Sequence, residues 1–200
     1  MDALVEKLKA RRYDAHHVHT KEEAVELALT MVRPDDTVAY GGSMTLVETG
    51  MLDALRKAPC RLLDRANAKS PDEAEFIMRE GLNADVYFAS VNAMDLSGVI
   101  YQTEGRGNRV ASIMFGAKKV VLIVGRNKIV KDKAAAEERM RLIACPKNAA
   151  RLHRDTPCVQ VGHCVDCIAP GSVCGSRVEM RFSYLPGRIA VILVDEELGY

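Results

Sequence analysis

Two stretches of the chain are apolar almost without a break, Lys119 to Val124 and Arg188 to Val194. Continuous runs of this length, rich in Val and Ile, predict strands buried on both faces. Shorter β-prone runs at Thr37 to Tyr40, Arg61 to Asp64 and Asp85 to Ala89 predict further strands. Tyr13 to His19 alternates polar and apolar residues, which places His17 and His19 on one face and His16 on the other. Helical spacing fills the gaps. Residues 2–12 set Leu4, Val5 and Leu8 on one side, and Thr20 with Glu23 is a capping box opening a helix through Ala24, Leu27, Ala28 and Met31. Thr45 with Glu48 repeats that pattern, and about 100° per residue brings Glu48 onto the face of Met51, Leu52 and Leu55. Ser70-Pro71-Asp72-Glu73 starts a helix to about Leu82, and Asp132 starts one that Pro146 interrupts before a further helical piece from Lys147 to His153. Strand and helix alternate with short links, which predicts an α/β fold with a mainly parallel sheet and helices on both faces. Ligands in such folds sit beyond the carboxyl ends of the strands, so the loops after Tyr40 and Ala89 are the places to look.

Composition narrows this picture. Two hundred residues, 48% apolar and 28% charged, suit a single globular domain. A net charge of +1 gives no electrostatic case for nucleic acid or acidic lipid, and no apolar run reaches the length of a membrane span. The N-terminal residues mix acidic and basic side chains and do not read as a signal peptide, so a cytoplasmic protein with mostly reduced thiols is expected.

The loop after Tyr40 reads Gly41-Gly42-Ser43-Met44-Thr45. Glycines just before a helix N-terminus let a phosphate or carboxylate approach free backbone N–H groups. The motif matches neither standard nucleotide loop, and a tight turn without ligand fits it as well. Glu48, one turn further on, is a candidate acid or base whose other role is the capping box. The second loop runs from Ser90 through Asn92, Asp95, Ser97-Gly98 and Val99–Gln102 to Glu104-Gly105-Arg106-Gly107-Asn108-Arg109. Its carboxylates, amides and guanidinium could bind an anionic or sugar-like substrate and move its protons. A hairpin with glycine turns, in which Asn108 caps a helix from Arg109 to Phe115, is the alternative. Arg126 and Lys128, after the Lys119–Val124 strand, would add positive charge at the same rim or lie on a solvated turn.

Cys158, Cys164, Cys167 and Cys174 fall in a C-x5-C-x2-C-x6-C arrangement within residues 157–175. Four thiolates could close a zinc site or hold an iron–sulfur cluster. Free packed thiols and a redox disulfide, with Cys164 and Cys167 the natural pair, are the competing readings. Cys60 and Cys145 read as isolated thiols. His16, His17 and His19 could bind metal, but no Cys or carboxylate pattern accompanies them in the sequence, and they read rather as exposed strand residues.

Gly-Gly-Ser-Met-Thr-Leu-Val-Glu48, Asn92-Ala93, Gly107-Asn-Arg-Val-Ala111, Gly125-Arg-Asn-Lys-Ile-Val130, the cysteine tail and the stretch from Gly187-Arg-Ile to Tyr200 together resemble the LUD, or lactate-utilisation, domain over nearly the whole chain. The resemblance implies a NagB/RpiA/CoA transferase-like fold, the fold of glucosamine-phosphate and ribose-phosphate isomerases. It implies a role in lactate or small organic acid metabolism alongside an iron–sulfur oxidoreductase partner. It also implies that Gly41, Gly42, Ser43 and Thr45 hold the anion, with Asp95 or Glu104 as acid or base. Asn92, Gly105, Gly107, Asn108 and Arg109 complete the expected ligand contacts. A second function, electron transfer or assembly through the cysteine loop, and self-association of the chain both stay open.

Overall fold

The computed structural model describes residues 1–200. Its strands are β1 (Asp14–Val18), β2 (Thr37–Tyr40), β3 (Arg61–Leu62), β4 (Val86–Ala89), β5 (Ala93–Asp95), β6 (Ile100–Glu104), β7 (Lys119–Gly125), β8 (Ile129–Val130), β9 (Ser176–Met180) and β10 (Ile189–Val194). Its helices are α1 (Asp2–Ala10), α2 (Lys21–Leu29), α3 (Met44–Glu48), α4 (Met51–Lys57), α5 (Pro71–Glu80), α6 (Asn108–Ala111), α7 (Lys133–Arg139), α8 (Cys145–Arg151) and α9 (Pro157–Val161).

Six strands form an all-parallel sheet in the order β1-β10-β7-β4-β2-β3. The two continuous apolar runs, β7 and β10, lie inside it, and every residue of β10 is buried. Alternation along β10 splits its side chains between two cores. Ile189, Val191 and Leu193 pack with Leu4, Val5 and Leu8 of α1. Ala190, Ile192 and Val194 pack with Ala24 and Ala28 of α2 and with Leu46, Met51 and Leu55. Helices therefore cover both faces, as the pattern predicts. A smaller sheet, β8-β5-β6-β9, stands beside the first, and α7, the turn after it and α8 pack on it through Ala136, Met140 and Cys145.

Several local expectations are corrected. Thr20 and Glu23 do form a capping box, but Thr45 does not: Ser43 is the N-cap of α3 and makes no side-chain cap bond. Gly50, with φ 75°, breaks the helix after Glu48, so the periodicity does not carry through to Met51, and Glu48 is exposed rather than core-facing. Gly107, not Asn108, is the N-cap of α6. The helical path also continues through Pro146. A π-turn over Met140–Ala144 precedes α8, and the proline falls in the first turn of α8, where its missing N–H is tolerated. Residues 92–95 are partly strand rather than loop, and the cysteine segment opens with α9 and is followed by β9 before the last strand.

Candidate functional site

The loops at the carboxyl ends of β2 and β4 meet the β6–α6 turn around a cavity of about 300 Å³. Its wall carries Arg65, Arg106, Arg109, Lys128, Arg151 and Arg154, and its one acidic side chain is Glu104. That carboxylate is already occupied, with Oε2 accepting from Arg109 Nε at 2.8 Å. The remaining guanidinium N–H groups of Arg109 also go to the protein. Nη1 donates to Gln102 Oε1 at 2.5 Å and Ser90 O at 3.3 Å, and Nη2 to Thr103 O at 3.0 Å and Asn92 Oδ1 at 3.2 Å. Arg109 thus pins the β4, β6 and α6 segments together, is balanced by Glu104 and offers the cavity no free donor.

Gly41 makes room for that pin. A Cβ on Gly41 would stand 2.8 and 2.9 Å from Arg109 Cδ and Cγ. Gly41→Ala is expected to displace the arginine and cost about 1–3 kcal/mol in urea denaturation, and an unchanged midpoint would show that the side chain yields freely. Gly42 plays a different part. The position its Cβ would take lies 2.5 Å from Arg65 Nη2 and 3.8 Å from Arg151 Nη2, so two guanidiniums close over bare backbone. Arg65 follows the carboxyl end of β3 on a 3-10 turn capped by Asp64, which accepts from Ala66 N at 3.0 Å. Its side-chain partner is the sulfur of Met78 at 3.6 Å. Arg151 donates to Tyr200 Oη at 2.6 Å and Asn148 Oδ1 at 2.8 Å. Neither has a carboxylate.

Lys128 is 3% exposed. Its Nζ donates to Thr45 Oγ1 at 2.7 Å and Ser90 Oγ at 3.0 Å. Each hydroxyl passes its own proton on, Thr45 to Leu198 O at 3.1 Å and Ser90 to Ile123 O at 2.6 Å, so both must accept from the lysine. Burial, with the charges of Arg139 and Arg109 nearby, pushes the Lys128 ammonium down to about 7. Arg139 is itself buried and bound to the carbonyls of Asn127 and Asn92. A lysine pushed down this far gives up its proton more readily than an exposed one and can exchange it with a bound ligand.

Of the residues singled out from sequence, Gly42, Ser43, Asn92, Glu104, Gly105, Asn108 and Arg109 line the cavity. Thr45 stands behind it as the support of Lys128, and Gly41 behind Arg109. Gly107 lies outside, at the turn into α6, where its φ is 87°. Glu48 and Asp95 are not brought to it. Glu48 accepts the Gly199 N–H at 2.6 Å and fastens the segment after β10. Asp95 is buried and fully used, accepting from Ser97 N, Ser97 Oγ, Val99 N and Tyr101 Oη. Burial pushes its carboxyl up, but these hydrogen bonds outweigh it and hold the group below its ordinary value. Asp95 therefore builds a turn. Arg126 is exposed beside Glu197, away from the cavity, whereas Lys128 is central to it. The sequence reading missed Arg65, Arg106, Arg151 and Arg154. Arg106 was legible as the one cation inside Gly105-Arg106-Gly107.

The cysteines line a second cavity of about 310 Å³, and Cys145 joins them there. Cys145 is not isolated. The Cys174 thiol beside it pulls its own thiol down, and Cys145 with burial pushes Cys174 up. Cys158 is buried at the start of α9 and lies 3.3 Å from Thr156 Oγ1. No three of the sulfurs lie within 4.8 Å of one another. A tetrahedral thiolate site holds its sulfurs roughly 3.8 Å apart, so the donor set fits zinc or a cluster but must draw together to close on one. Val173 is common to both cavities, which makes the cysteine loop a wall of the cationic one.

Fold and site together define an α/β domain with a cation-lined cavity at the carboxyl rim of its parallel sheet. The family model of the LUD domain matches residues 1–194, and the chain belongs to that family. The crystal structure of a DUF162 family protein from Deinococcus radiodurans shares its fold, at 12% identity over 96% of this chain and 94% of that one, with a TM-score of 0.52. Partial likenesses are to eIF2B delta from Chaetomium thermophilum (15% identity, 68% and 54% of the two chains, TM-score 0.38) and to ribose 5 phosphate isomerase A from Neisseria gonorrhoeae (16%, 56% and 54%, 0.36). No curated protein matches the chain. No helix is long and apolar enough to cross a membrane.

Proposed function

We propose that this LUD-domain protein binds a small anionic metabolite, a carboxylate or sugar phosphate, in the cavity between the Gly42 loop and the β6–α6 turn, and acts in small organic acid metabolism. The observation that carries the reading is the charge imbalance of the wall. Arg65 and Arg151 close over Gly42 without a carboxylate partner, Lys128 is buried without one, and Glu104 is committed to Arg109. An unpaired buried cation such as Lys128 is costly unless an anion completes it, while the half-buried Arg65 and the exposed Arg151 stay solvated and free to meet that anion. In this reading Arg65 and Arg151 grip the anionic group, Ser43 and the Gly42 backbone approach it, and Lys128 holds or releases the proton. Calorimetric titration with lactate, inorganic phosphate, a sugar phosphate and an acyl-CoA at low salt tests it. Saturable binding of one class is expected, and indifference to all four at millimolar concentration overturns it.

A second reading rests on the shared wall at Val173. The loop carrying Cys158, Cys164, Cys167 and Cys174 would hold zinc or an iron–sulfur cluster and dock on an iron–sulfur oxidoreductase. Cys145 stands at the same cavity as a further thiol. Four thiolates would supply either a fixed structural ion or a one-electron carrier. Anaerobic purification with metal analysis and visible absorption decides it. Colourless, metal-free protein with titratable thiols sinks the cluster version.

A further inference from the structure

At the far edge of the main sheet a third group of side chains converges, and it shares no residue with either cavity described above. β1 and β10 run parallel in a register that pairs His17 with Leu193 and Val18 with Val194, so His19 and Asp195 follow at the carboxyl ends of both strands. Residues two apart on a strand share a face, which turns His17 and His19 the same way, toward Asp195. His17 Nε2 lies 2.9 Å from Asp195 Oδ1, and His19 Nδ1 lies 2.7 Å from Asp195 Oδ2. The two rings stand edge to face with centroids 5.1 Å apart. One donor atom from each of the three residues falls within 4.8 Å of the others.

We propose that His17, His19 and Asp195 form a binding site for one divalent cation of the zinc class. Two imidazoles and a carboxylate are ligands that zinc and its late first-row neighbours favour. Donors around a tetrahedral ion stand roughly 3.3 Å apart. The carboxylate contacts, at 2.9 and 2.7 Å, lie inside that spacing and all three donors fall within 4.8 Å, so the side chains must shift to close on the ion. The site also has an outer support. His17 Nδ1 is 3.5 Å from the exposed Asp2 carboxylate, close enough for that carboxylate to move in and orient a ligating imidazole by its other nitrogen. His17 is only 19% exposed and is fixed by packing, whereas His19 is 75% exposed and can swing onto an arriving ion. Its backbone N–H is held by Glu23 Oε2 at 2.8 Å, so the strand end itself stays in place. Three protein ligands leave a fourth position for water or an outside donor, the pattern of an open site rather than a closed structural one. The ion would also clip the edge strand β1 to β10.

Imidazole NMR on the full chain separates this site from the thiols. One equivalent of zinc is expected to move the ring resonances of His17 and His19 and to leave those of His16 and His153 unmoved. His19→Ala, an exposed position, and Asp195→Asn are each expected to weaken the zinc affinity read at His17 at least tenfold. Zinc at a hundredfold excess over its Kd should raise the Tm of the wild type by about 5 °C or more, through binding to the native state alone. Unmoved His17 and His19 resonances at millimolar zinc overturn the proposal, as does a His17 response that His19→Ala leaves unchanged. Zinc uptake seen only at His163 and the cysteines would place the ion in the loop and count equally against it.

Discussion

Lys128→Met is expected to make the fold more stable and anion binding weaker. The folded-state value of Lys128 is near 7 against an ordinary value of 10.5. Charging the group therefore opposes folding. The penalty is absent above about 10.5, grows as pH falls, and is complete below about 7. Near pH 7 a shift of this size is on the order of 4 kcal/mol. Methionine removes the charge but leaves Thr45 Oγ1 and Ser90 Oγ without their donor, so a net gain of about 1–3 kcal/mol is expected near pH 6. Urea denaturation of both proteins should show the gap closing as pH rises from 7 toward 10. An anion in the cavity reverses the sign of the effect, because it favours the charged amine. Sulfate, which does not titrate in this range, should bind the wild type best below pH 7 and more weakly above it, with proton uptake visible as buffer-dependent heats. In Lys128→Met the affinity at pH 6 should fall about tenfold or more and lose its pH dependence. A variant that is less stable than the wild type, or that binds sulfate equally well, would mean that Lys128 is a packing residue.

How much of this was legible beforehand depends on whether the signal is local. β7 and β10 are readable because a strand buried on both faces must be apolar at every position, and the residues themselves carry that information. Thr20–Glu23 is readable for the same reason, since both partners of the capping box lie within one turn. Thr45–Glu48 repeats the letters of that pattern without the bonds. The Thr45 hydroxyl is required by Lys128, 83 residues away, and Glu48 by Gly199, 151 residues away. A competing long-range demand of this kind leaves no trace in a four-residue window. The Gly-Gly-Ser loop was legible because glycines before a helix carry a backbone argument, and Gly42 and Ser43 do line the cavity. The charge that faces it showed only in part, through Arg109 and Lys128. Arg65, Arg106 and Arg151 come from three separate segments, and each alone reads as an ordinary surface cation. Asp95 misled for the opposite reason. A carboxylate in a polar loop looks available until its four donors, three of them from Ser97 and Val99, are counted.

Arg65→Ala and Arg151→Ala are expected to separate binding from folding more sharply still. Both guanidiniums stand over Gly42, and their side-chain partners are neutral: the Met78 sulfur for one, Tyr200 Oη and Asn148 Oδ1 for the other. Removing either relieves repulsion from the remaining cations while breaking only weak or exposed contacts. Stability should therefore change by less than about 1 kcal/mol. Charge-assisted hydrogen bonds to a bound anion are each worth roughly 1.5–3 kcal/mol. Each substitution should thus weaken sulfate binding by about tenfold to a hundredfold, and the double variant by more than either alone. The two guanidiniums share one ligand, so the double loss should fall short of the product of the singles. Salt dependence gives an independent check, since a site that has lost two cations should respond less steeply to ionic strength. Arg109→Lys should behave in the contrary way. Lysine cannot span Glu104, Gln102, Asn92 and the two carbonyls, so the β4–β6–α6 junction should loosen and stability should fall by about 2–4 kcal/mol. If Arg65→Ala and Arg151→Ala unfold the protein and Arg109→Lys does not, the division of the wall into grip and frame is wrong.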